Sequence, residues 1–167
     1  MRLYLFLAFL GLSLFSCSRV HPLKGDYSTH KYLVASSKSK EDVFRIIRET
    51  LKEKGVAISA SEYQSGMIVS DWAYFTYSYT MEDMSGKLLN PDAFFVIARR
   101  KDLKKEKGPS TVRCNWFFRI EEIGQQVRVY LQTSNIEAFS DTYAGWRVEY
   151  QAYSTGKFEK DVIEVIR

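Results

Sequence analysis

Cysteine and histidine are both scarce: two of each, Cys17, Cys114, His21 and His30, in 167 residues. Two isolated histidines do not make a metal centre. A Ser–His–acid or Cys–His arrangement needs an imidazole beside its nucleophile, and both histidines lie near the start of the chain. Glycine-rich phosphate motifs of the G-x-G-x-x-G or P-loop type are missing, as is any internal repeat. Acid pairs occur at Glu82/Asp83 and Glu121/Glu122, but adjacent residues on a strand point to opposite faces, which suits turn or surface acids better than an acid–base couple. The net charge of +4 is too small for a nucleic-acid footprint. These scarcities argue for a non-enzymatic protein with no metal, no cofactor and no nucleic-acid partner.

Long apolar runs are equally rare. Leu3–Phe15 is the one long stretch free of charge. At roughly 13 residues it is too short for the ~20 of a spanning helix and fits the core of a signal peptide. A buried helix of the mature fold is the alternative, but such a helix normally carries a polar face. Leu14 stands where an ordinary secretory site wants a small residue. Leu14-Phe15-Ser16-Cys17 resembles instead the lipobox of bacterial lipoproteins, with an aliphatic residue first, a small one third and then cysteine. Phe15 is bulkier than the usual second residue. The resemblance implies diacylglycerol on the Cys17 thiol and cleavage before it. Ser18, in place of an inner-membrane-retaining Asp, implies an outer-membrane, periplasm-facing position. Two or three acyl chains anchor stably where one does not. The expected organisation is a signal peptide over 1–16, a lipidated flexible tether over 17–30, and one domain over 31–167. Cys114 then stands as a thiol that must be buried; a Cys17–Cys114 disulfide in an unlipidated secreted chain is the rival.

Aromatics are plentiful, with eleven Tyr, eleven Phe and three Trp, and favour β-structure. Lys31–Ser36 reads as a short strand. A helix follows, started by Ser39 with Asp42 three residues on, striped by Val43, Ile47 and Leu51, widened by Phe44 and Ile46, and ended at Gly55. Two short strands flank a turn at Gln64–Gly66. In TVRCNWFFRI, Val112, Cys114, Trp116, Phe118 and Ile120 share one face, with period two broken by Phe117. Val127, Val129 and Leu131 continue the pattern after a turn over Glu122–Gln126. The last segment reads as a helix with Phe158, Val162 and Val165/Ile166 on one side and Ser154/Thr155 available as caps. Tyr143, Trp146, Tyr150 and Tyr153 fit a helix or a strand equally, in either case as core. The expected fold is α+β: a two-layer antiparallel sheet with two packed helices.

This order, with KEDVFRIIRETLKEKGVAI followed by YQSGMIVSDW, resembles the helix-grip domains of BamC-type lipoproteins, which belong to outer-membrane β-barrel assembly machinery. It implies a membrane-anchored interaction module of envelope assembly, with envelope proteins as partners, and transfers no catalytic residue. The alternative is a lipid- or glycan-binding lipoprotein. Its candidate contacts are the aromatics of DWAYFTYSYTMEDM, with Trp72 and Tyr74 on one face and Phe75, Tyr77 and Tyr79 on the other. A second candidate surface is the basic run Arg99, Arg100, Lys101, Lys104, Lys105 and Lys107, closed by Gly108-Pro109. It is either a solvated loop or a patch for anionic headgroups or an acidic partner.

Overall fold

The computed structural model describes residues 20–27, 31–101 and 108–167. In chain order these form β1 (Lys31–Ser36), α1 (Lys40–Glu53), β2 (Ile58–Glu62), β3 (Met67–Ser70), β4 (Ala73–Phe75) and β5 (Tyr79–Thr80). There follow β6 (Phe95–Ile97), β7 (Thr111–Ile123), β8 (Gln126–Asp141), β9 (Arg147–Tyr150), β10 (Ala152–Ser154) and α2 (Lys157–Ile166).

The long β7–β8 hairpin is the frame. β1 and then β9 pair along the outer side of β8, while β3 and β4 pair with different ends of β7, and β2 closes the far edge. All these pairings are antiparallel. A smaller sheet, β10–β6–β5, has one parallel pair, β5 with β6.

Strict alternation in β7 puts Val112, Cys114, Trp116, Phe118 and Ile120 on one wholly buried face. β8 is too long to keep its parity unaided. Arg113 pairs with Glu137 and Asn115 with Ser134, so Asn135 and Ile136 together face Cys114 in a bulge, with Asn135 at φ 53°. The extra residue switches the inward set from Val127, Val129, Leu131 and Thr133 to Ala138, so that, Thr133 apart, the inward residues on both sides of the bulge are apolar.

Both helices lie on that face. The Ser39 hydroxyl accepts from the Asp42 N–H at 3.1 Å and starts α1, which buries Val43, Phe44, Ile47 and Leu51. α2 buries Phe158, Val162, Ile163 and Ile166. The Phe158 ring stacks on Trp116 with centroids 3.8 Å apart, and Phe75 meets Trp116 edge-on at 5.7 Å. Each such side chain contributes about 1.5–3 kcal/mol by leaving water. The helices also touch each other through Lys54 and Asp161, 3.3 Å apart. Among the described residues no element covers the opposite face of the main sheet, which carries Leu33, Phe117, Arg119 and Tyr130, Leu33 being 67% exposed. The domain is therefore a two-layer α+β fold.

Three details differ from expectation. Val165 points outward, and Ile163 and Glu159 take the buried side of α2. The Ser154 and Thr155 hydroxyls accept from the Gly156 and Lys157 N–H groups, but the helix starts at Gly156 in the left-handed region. Tyr143 and Trp146 are not core: they lie in the turn between β8 and β9, and both are exposed. Arg147–Tyr150 and Ala152–Ser154 are strands, with Tyr150 and Tyr153 half-buried.

Candidate functional site

The aromatics of residues 72–79 do not form a common cleft. Period two holds only through β4. There Ala73 and Phe75 pair across Cys114 and Val112 and face inward, while Trp72 and Tyr74 lie on the outer face. Phe75 is consumed by the core, in contact with Phe94, Phe95 and Trp116. A bend at Thr76–Tyr77 then breaks the phase: Tyr77 is 90% exposed, and Tyr79 belongs to the smaller sheet, half-buried. On the outer face the Arg113 guanidinium sits 4.2 Å from the Trp72 ring centroid and donates to Glu137 at 2.6 and 2.9 Å. That group is an open surface cluster rather than a groove.

Of the basic run, Arg99, Arg100 and Lys101 are described, and Lys104, Lys105 and Lys107 lie outside the described residues. Arg100 donates to the Glu149 carbonyl at 2.7 Å and lies 5.8 Å from the Tyr150 ring centroid. Its backbone bridges Val20, and the His21 N–H donates to the Arg99 carbonyl at 2.8 Å. Cys17 and His30 also lie outside the described residues.

Residues 20–27, expected as part of a flexible tether, are held against the domain at two points. The first is that bridge. The second is Glu82, which is buried: its two carboxylate oxygens accept from the Lys24 N–H at 2.7 Å and the Gly25 N–H at 2.8 Å. The Tyr27 hydroxyl donates to the same carboxylate. Burial by itself would raise the Glu82 carboxyl, but these three donors outweigh it and hold the group below its usual range. Burial, with Glu82 as acceptor, pushes the Tyr27 hydroxyl up to about 12. From the sequence Glu82 reads as a turn or surface acid, whereas here it is buried. Its partners are chiefly backbone N–H groups nearly 60 residues away, and no side-chain pattern marks such a contact.

Between this strap and the end of β6 lies a cavity of about 600 Å³, within the size range of small-molecule sites. Leu23, Met81, Met84 and Tyr150 supply apolar wall, with Ile97 and Ala98 at its base. Lys24, Arg99, Arg100 and Lys101 ring it. The two acids on the lining are engaged: Glu82 as described, and Asp83 by the Ser85 hydroxyl and the Ser85 and Lys87 N–H groups at 2.7–3.0 Å. Those bonds, led by the Ser85 hydroxyl, hold Asp83 down at about 2.

Cys114 is buried in the core and free. Burial, with the Glu159 carboxylate adding to it, pushes its thiol up, which makes it inert at neutral pH. Among the described residues no cluster of His, Cys, Asp and Glu is arranged to hold a metal ion, and no helix is long and apolar enough to cross a membrane. Compared with known proteins, the chain matches no family model and no curated sequence.

Proposed function

We propose that the chain is a bacterial lipoprotein, anchored through lipid on Cys17 and facing the periplasm from the outer membrane. Its one α+β domain serves as a non-enzymatic interaction module in envelope assembly. The lipobox Leu14-Phe15-Ser16-Cys17 carries this reading. The docking of Val20 beside Arg100 supports it, because three residues of chain reach at most about 11 Å. A lipid on Cys17 would thus hold the cationic Arg99–Lys101 surface near anionic headgroups, where each cation adds about 1 kcal/mol of attraction. Cells fed an alkyne-bearing fatty acid provide the test. The wild-type chain should take up label and fractionate with outer membrane, and Cys17→Ser should lose both. Equal labelling of the two overturns the anchor.

The second reading, a ligand-binding lipoprotein, is favoured by the cavity under the strap rather than by the aromatic strand, whose side chains diverge.

A further inference from the structure

We infer that the groove between α1 and the outer edge of β2 takes an extended acidic segment of a partner protein, with carboxylates on alternate residues. This deepens the interaction-module reading and rests on it, but needs no lipid on Cys17.

β2 ends the main sheet, and no described strand pairs with its outer edge. α1 runs beside it in the opposite direction. Residues 54–57 join the two at one end. At the other, the Lys40 ammonium donates to the Gln64 carbonyl at 3.1 Å and the Phe44 ring meets Tyr63. An open groove of about 590 Å³ lies between them, with Arg45, Arg48, Glu49 and Lys52 on the helix side and residues 55–58 opposite. Arg45 is spent on Asp42 and Glu49, at 3.2 and 3.1 Å, so Glu49, the acid among the described lining residues, is already paired. Arg48 and Lys52 are exposed and have no partner among the described residues. Two unanswered cations thus stand beside an unpaired strand edge.

Spacing selects the occupant. Arg48 and Lys52 are separated by a rise of about 6 Å along the helix, and alternate side chains of an extended chain by about 6.6 Å. Two acids one residue apart therefore meet both cations while their backbone pairs with β2. An anionic headgroup answers the charge but leaves the strand edge unused. A second copy of β2 carries one acid, Glu62, for two cations. A bulge at Ser59, whose hydroxyl donates to the Val69 and Ser70 carbonyls at 3.1 and 3.2 Å, limits the regular edge to residues 60–62. That suits one short segment and not an open-ended sheet.

The test uses the full chain and three fluorescent peptides of equal length. One alternates valine with glutamate, one valine with glutamine, and the third is the glutamate peptide N-methylated along its backbone. By anisotropy the glutamate peptide should bind about tenfold tighter than the glutamine one, the gain expected of two exposed ion pairs. The N-methylated peptide should not bind, and the bound glutamate peptide should slow amide exchange over residues 58–62. Arg48→Gln combined with Lys52→Gln, both at exposed positions, should erase the preference for glutamate, and Lys101→Gln should not. No binding, equal binding of the control peptides, protection away from β2, or indifference to the double variant overturns the inference. So does capture of phosphatidylglycerol vesicles, or dimerisation, that depends on Arg48 and Lys52 while the peptide goes unbound. A glutamate peptide bound at another surface sinks the groove and spares the interaction module, and lipid on Cys17 does not enter the measurement.

Discussion

Glu159 stands in the first turn of α2 with no access to solvent, accepting from the Ser154 hydroxyl at 2.9 and 3.0 Å and from the Thr133 hydroxyl. A buried carboxylate that loses a donor bears the desolvation cost in full. Ser154→Ala should therefore lower stability by about 2–3 kcal/mol, measured by urea unfolding; a change under about 0.5 kcal/mol would mean Glu159 does not rely on that hydroxyl. Glu82 makes the contrasting case, because its bonds hold the strap rather than the core. Its carboxyl is lowered in the folded state, so its contribution is present above the ordinary carboxylate range and is lost as pH falls through the folded value. The Tyr27 hydroxyl is raised to about 12, so its contribution is intact below the ordinary tyrosine value and fades as pH climbs toward 12. Glu82→Gln should speed amide exchange at Lys24 and Gly25 while leaving the unfolding midpoint nearly unchanged. Acidification of the wild type should do the same, once rates are corrected for intrinsic exchange. Protection that survives both changes would place the hold elsewhere.

At the β2–β3 turn Gly66 has φ +69°, and a Cβ there would lie 2.0 Å from the Ile120 carbonyl oxygen of the neighbouring strand. Gly124, in the β7–β8 turn, has φ +63° with open space around it. Gly124→Ala should cost about 1 kcal/mol, the backbone term alone. Gly66→Ala should cost at least about 2 kcal/mol more, since β3 or β7 must move. Thermal melts of the two variants compare them, and equal losses would mean the close approach is not rigid. These elements also show what a sequence can disclose. The inner face of β7 was legible because alternation survives only where one face is buried, and α1 because its cap and stripe agree. β9 and β10 were not, since Tyr143, Trp146, Tyr150 and Tyr153 satisfy both periods and only their pairing partners decide. The Trp72–Tyr79 aromatics misled because the bend at Thr76–Tyr77 carries neither Gly nor Pro to announce it. The strap was invisible for a different reason: it is backbone bonding to one distant acid.

Across the whole molecule the two faces of the main sheet differ in what they tolerate. Trp116→Ala on the helix-covered face should cost about 3–5 kcal/mol, and Leu33→Lys on the open face less than about 0.5 kcal/mol, both read by urea unfolding. Comparable losses would mean that something covers the open face.

The Glu82 clamp has a consequence in length. Bound at both points, the strap lies flat against the domain; released from both the Glu82 carboxylate and the Val20–Arg100 bridge, its eight residues from Val20 to Tyr27 can span at most about 28 Å. The carboxylate and the bridge together thus set two standing distances between the domain and whatever holds the chain upstream. A modest pull that opens both, eased at the Glu82 end by a drop in pH, would let the domain out on a longer leash without unfolding any of its sheet.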